Sequence, residues 1–95
     1  MESMALQSFS RWVGDTFSAL REGIEAPLVL VEAVALESHG GEGREPFSLL
    51  FHGHSPAWLE QAIYRVRHPA IGECEIFLVP VGRHESGFVY QAVFN

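Results

Sequence analysis

The sequence predicts a mainly β fold: about six antiparallel strands forming a small barrel or sandwich, with one short N-terminal helix. Residues 62–95 carry the clearest signal: a strand over 73–81 (ECEIFLVPV), rich in β-branched and aromatic residues, lies between the turn-forming stretches 69–72 and 82–87 and is flanked by alternating segments at 62–68 and 87–94. Residues 27–38 (PLVLVEAVALES) add the longest apolar run. Six short strands in a chain of 95 residues cannot leave two bare faces, so the sheet must curl shut or fold over.

In order, the chain reads as one domain over residues 1–95. Residues 1–6 hold no pattern and are expected to fray. Residues 7–14 (QSFSRWVG) place Phe9, Trp12 and Val13 at helical spacing, with Ser8 as N-cap and Gly14 as the stop. Two turns are not stable alone, so this helix must dock on the sheet, as core or as a lid over a barrel end. The β region then runs from 15 to 94. Residues 15–21 form a first strand with Phe17 and Ala19 inward, and 21–27, holding Gly23 and Pro27, read as a connection. The run 27–38 exceeds the usual strand length, which implies a bend or bulge inside it. Residues 39–45 (HGGEGRE) are a loop. Residues 46–53 put Phe47, Leu49 and Phe51 on one face and Ser48, Leu50 and His52 on the other. Residues 54–61 cross over with a helical turn from Ser55-Pro56, anchored by Trp58.

The hairpin that follows sets the register of the last three strands. Residues 62–68 face Tyr64, Val66 and His68 one way and Ile63, Arg65 and Arg67 the other. With Ala70 and Ile71 in a type I turn and Gly72 left-handed, Arg67 falls opposite Glu75, Arg65 opposite Phe77, Val66 opposite Ile76 and Tyr64 opposite Leu78. This choice gives one apolar face and one salt-bridged face, and it makes Gly72, Arg67 and Glu75 the structural residues of the turn. Residues 87–94 complete an antiparallel meander with Phe88, Tyr90, Ala92 and Phe94 on one side.

Composition limits the function. A net charge of −6 argues against nucleic acid, which needs a basic face. All 6 positive residues are Arg, so lysine-dependent phosphate loops and Schiff bases are excluded. The one cysteine, Cys74, leaves no partner for an internal disulfide. The N-terminus lacks the pattern of a signal peptide, and no run approaches the 18 or so apolar residues of a membrane helix. A cytoplasmic protein with neither membrane nor nucleic-acid partner, and with no cofactor, is the expectation.

The segments PFSLLF, YRVRHPAIGECEIFLVPVG and the closing VYQAVFN, in this order, resemble a family of short bacterial proteins of unknown function. The resemblance covers most of the chain and implies an association with phage-tail-collar-type proteins encoded nearby. It brings no catalytic residues with it.

The candidate chemistry is sparse. His52-x-His54 places two imidazoles on one strand face, with Glu60 able to swing in as a third ligand. This resembles the His-x-His of cupins, with Pro80-Val81-Gly82 ahead of His84. It departs from that pattern in the late Glu60, the early His84 and the missing closing Asn. The plain reading is solvated histidines at a strand end. His68 and Cys74 fall opposite each other and could form a thiolate–imidazolium pair, or Cys74 is simply half-buried. Glu73 and Glu75 share a strand face as a carboxylate pair, or serve as cross-strand ion-pair partners of arginine. Phe47, Phe51, Tyr64 and Phe88 could line a cavity for a small ligand. Leu50, Phe77, Val79 and Val81 point away from the core and offer a surface for another protein or a second copy. Lacking a catalytic set, the sequence favours a non-enzymatic interaction or assembly module, with the metal barrel and the ligand barrel as alternatives.

Overall fold

The computed structural model describes residues 5–37, 45–55, 58–84 and 86–94, the side chain of His84 excepted. Of the fraying expected at 1–6, residues 1–4 lie outside the described residues, as do most of the 39–45 loop and the turn at Pro56; Leu6 is not frayed but opens the helix and packs against the core. Among the described residues one helix and six strands follow in order: α1 (Leu6–Ser10), β1 (Thr16–Arg21), β2 (Ile24–Ala35), β3 (Phe47–Gly53), β4 (Ala62–His68), β5 (Gly72–His84) and β6 (Gly87–Phe94). The strands form a closed antiparallel barrel in the order β1-β2-β3-β6-β5-β4, sealed where Ser18–Leu20 of β1 pair with Arg65–Arg67 of β4. Of the two architectures the sequence left open, the barrel is the observed one.

Alternation fills the interior. Phe17 and Ala19, Leu28 and Leu30, Phe47, Leu49 and Phe51, Tyr64 and Val66, Ile76 and Leu78, Tyr90 and Ala92 are all buried there. The helix starts at Leu6, earlier than Ser8 as cap would allow. Ser8 instead sits in the third helical position, where its Oγ accepts from the Ala5 N–H at 3.2 Å. Four residues of turn then replace the second helical turn, leaving Val13 exposed, and Gly14 stops the segment at φ +100°. The helix is a plug. Phe9 is fully buried and its ring lies 6.4, 6.0 and 5.7 Å from those of Phe17, Phe47 and Phe94, while Phe47 and Phe94 stack at 4.5 Å.

Two connections differ from expectation. Between β1 and β2 only Glu22 and Gly23 intervene, both at positive φ (47° and 85°), so a tight two-residue turn replaces the longer connection over 21–27. Pro27 therefore lies inside β2. The expected irregularity in this long strand is the bulge between Leu30 and Glu32. A second bulge, between Pro80 and Gly82, lets β5 run on to His84, well past Val81.

Candidate functional site

The β4–β5 hairpin keeps its faces but shifts its register by two residues. Arg67 pairs with Glu73, Arg65 with Glu75, Val66 with Cys74, Tyr64 with Ile76, and His68 with Gly72. The predicted pairing of Arg67 with Glu75 is thus corrected, because it would have put Pro69 in the ladder, where it has no N–H to offer. The observed loop moves Pro69 into the turn. Gly72 keeps the left-handed conformation expected of it, at φ +90°. A shift of two preserves side-chain parity, so the apolar and charged faces stand. Glu73 now meets both Arg65 (3.7 Å) and Arg67 (3.6 Å), and Arg67 also reaches Glu25 at 3.2 Å. These are exposed pairs that fasten β4 to β5 and β2. Glu73 is occupied by arginine rather than paired with Glu75.

The residues singled out for metal binding are not gathered. His52 and His54 have ring centroids 6.2 Å apart in an edge-on arrangement, and His54 Nδ1 lies 3.2 Å from Ser86 Oγ. Glu60 turns elsewhere, to Arg21 at 3.1 Å. Among the described residues no group of three or more His, Cys, Asp or Glu side chains could hold a metal ion.

His68 and Cys74 are not direct cross-strand partners in the observed register. Cys74 is partly buried, and burial pushes its thiol up from the ordinary value, which disfavours the thiolate that nucleophilic chemistry requires. His68 has other partners. Its ring is buried, 5.0 Å from that of Trp12 and 4.5 Å from that of Phe17. Ala70 N–H donates to Nδ1 at 3.1 Å, so Nε2 carries the proton and donates to Asp15 at 2.9 Å. Both nitrogens are used, and the ring braces the plugged end by tying β4 to the segment before β1. The sequence reading missed this pair because its partners are 53 residues apart in the chain.

Phe47, Phe51 and Tyr64, expected to line a ligand cavity, are instead packed core. Phe17 meets Phe51 edge-on at 5.7 Å. Phe88 is partly buried beneath the guanidinium of Arg83, 5.6 Å from its ring centroid. Tyr64 donates its hydroxyl proton to the Glu60 carbonyl at 2.6 Å. Burial pushes its phenol up, Arg21 over the ring opposes this, and Glu60 and Tyr90 reinforce it.

Two surfaces remain. The first is the outer wall of β4, β5, β6 and β3, where Ile63 lies directly opposite Phe77, and Val79 and Leu50 flank Gln91 from either side. Phe77, Val81, Ile63 and Val93 are about half exposed, at 49, 50, 59 and 48%. Val79 and Leu50 are partly exposed. The helix closes the barrel end and does not cover Phe77 or Val81.

The second is a groove of about 450 Å³ between the β1–β2 hairpin and the crossing after β3. Its walls are residues 24–29 of β2 and Gly53, His54, Ser55 and Leu59, with the buried Tyr90 beneath. It exists because β3 leaves β2 early: the β2–β3 ladder begins only at Val29 and His52. Beyond that point β3 is held to β6, where Gly53 pairs with Phe88 and the backbones meet so closely that a Cβ at Gly87 would overlap the Gly53 carbonyl oxygen. Leu59 N–H donates to the Tyr90 hydroxyl at 2.8 Å and pins the crossing. Trp58, the expected anchor, is 58% exposed; Leu59 does that work. The sequence signal for the groove was Pro27. Within a strand, proline marks an edge, whereas its leading position in the run 27–38 suggests a strand start.

No helix among the described residues is long and apolar enough to cross a membrane. No curated protein and no solved structure matches the chain. One family model does, over residues 4–94, and its description is a domain of unknown function, DUF6916. That span takes in α1 and all six strands. The chain belongs to this family, the DUF6916 domain of unknown function.

Proposed function

We propose that this barrel is a non-enzymatic protein-interaction module of the cytoplasm, and that it docks through the outer wall around Phe77. The carrying observation is the run of half-exposed apolar side chains on adjacent strands, Ile63, Phe77, Val81 and Val93, with Leu50 and Val79 beside them. Strand side chains alternate, so burial of Ile76 and Leu78 forces Phe77 outward, but nothing in packing requires that outward residue to be aromatic. Contiguous exposed apolar surface is the usual mark of a protein contact. The partner is a phage-tail-collar-type protein, as the resemblance of the chain implies, and the domain serves as an accessory of such an assembly.

Co-expression with a tail-collar-type protein tests this. The parent chain is expected to co-purify with it and Phe77→Asp is not, with the melting temperature preserved because Phe77 is half exposed. Retention of the Phe77→Asp chain on the partner would overturn the reading. Self-association lost in the same variant would replace the collar protein with a second copy.

A further inference from the structure

The groove beside β2 has a backbone feature that its apolar lining alone does not convey. In an antiparallel strand, successive residues turn their N–H and C=O groups to opposite sides. Leu30 fixes the phase: its N–H donates to Asp15 (3.0 Å) and its carbonyl accepts from Gly14 (2.7 Å), both on the β1 side. The β1–β2 register is unbroken from Arg21↔Ile24 to Thr16↔Val29. Ile24, Ala26 and Leu28 therefore bond to β1, while Glu25, Pro27 and Val29 face the other way. Val29 meets β3, but that ladder goes no further. Glu25 N–H, Glu25 C=O and Pro27 C=O point into the groove with no strand partner among the described residues. The same phase explains how Pro27 is tolerated, since its missing N–H lies on the side where no bond is made.

An open strand edge above an apolar floor is a template for one more strand. We propose that the groove binds an extended peptide segment of a partner protein, added to β2 in the place β3 vacates. Residues 24–28 offer about 17 Å of edge at the usual strand rise. Pro27 supplies an acceptor without a donor, so the edge presents more carbonyls than N–H groups. It therefore favours a segment with N–H groups at alternate positions and no proline there. Alternate apolar side chains of the segment would rest on Leu28, Leu59 and Tyr90. This site is separate from the outer wall around Phe77.

The probe is a fluorescein-labelled, acetylated Lys-Val-Thr-Val-Thr-Val-Lys amide, followed by anisotropy with the intact chain. Two N-methylated versions block either the Val or the Thr amides. Binding is expected for the parent peptide, with one N-methylated set weakened about ten-fold or more and the other tolerated. Equal binding of the two sets, or no binding at millimolar peptide, would overturn the proposal. On the protein side, Glu25→Ala keeps the backbone donor and should bind, whereas Glu25→Pro removes it and should bind about ten-fold more weakly. Because Glu25 N–H makes no bond to β1, both variants are expected to melt as folded proteins. If Glu25→Pro does not fold, the N-methyl comparison on the native chain decides alone. Phe77→Asp should leave peptide binding unchanged, so either surface can fail without the other.

Discussion

The two ends of this barrel are built on opposite plans. At one, α1 drives Phe9 among Phe17, Phe47 and Phe94, and the Asp15–His68 pair fastens the segment before β1 to β4. At the other, β3 turns away from β2, the crossing is held by a bond from Leu59 to Tyr90, and residues 24–28 of β2 have no second strand partner among the described residues. Aromatic burial is gathered at the closed end, and at the open end the β2–β3 ladder stops at Val29 and His52. A closed barrel has no edges along its wall, so an edge at its mouth is a local departure that needs a reason.

The widest gap between the ends should appear on truncation. Phe9→Ala removes a fully buried ring and is expected to cost about 3–5 kcal/mol, read from chemical denaturation. Leu59→Ala, at a partly buried site on the open end, should cost clearly less; equal losses would erase the distinction. Next comes the turn beside His68. Gly72→Val forces a β-branched residue to φ +90° and should cost about 1–2 kcal/mol. A variant that melts like the parent would mean the turn relaxes without strain.

At the open end, Tyr90→Phe deletes the acceptor of the Leu59 N–H and should lower stability by about 1 kcal/mol. Its stronger effect should be on the crossing, seen as faster amide exchange at Leu59. An alkaline titration reads the interior nearer to each end. Burial raises both the Cys74 thiol and the Tyr64 phenol. Each contribution is complete below the unfolded-chain pKa, about 8.5 for the thiol and about 10 for the phenol, and is lost as pH climbs through the higher folded value. The melting temperature should therefore begin to fall above about pH 8.5, and Tyr64→Phe should remove the upper part of the fall. The smallest change is expected on the wall between the ends. Arg65→Ala leaves Glu73 still paired with Arg67 and should cost no more than about 1 kcal/mol.

What the sequence made legible follows the same division. Period-two alternation identified the inward sets Phe47/Leu49/Phe51 and Tyr64/Val66/His68, because burial alternates with the pleat whatever the partner strand, while β-branched and aromatic content marked the strands within 27–38 and 73–81. Register needed more. In the β4–β5 hairpin, placing Gly72 at positive φ was right, but Pro69 outweighed the salt-bridge argument and moved the pairing by two. The outer-wall residues Leu50, Phe77, Val79 and Val81 could be found, since facing outward depends on parity alone. The Asp15–His68 brace could not, and for the groove Pro27 marks an edge without placing the segments that wall it. Both arise from contacts between distant segments, and where β3 abandons β2 depends on how closely Gly53 and Gly87 approach. The pairing of β1 with β4 that closes the barrel is equally non-local.

Amide hydrogen exchange along β2, residue by residue, tests the contrast most directly. An open edge at the mouth of a closed barrel predicts a contrast along the strand: Ala26 and Leu28 protected by β1, Glu25 just before them exchanging fast, and Leu30 protected beside the plug. Protection at Glu25 equal to that at Ala26 and Leu28 would mean the edge is already covered, and would contradict the account.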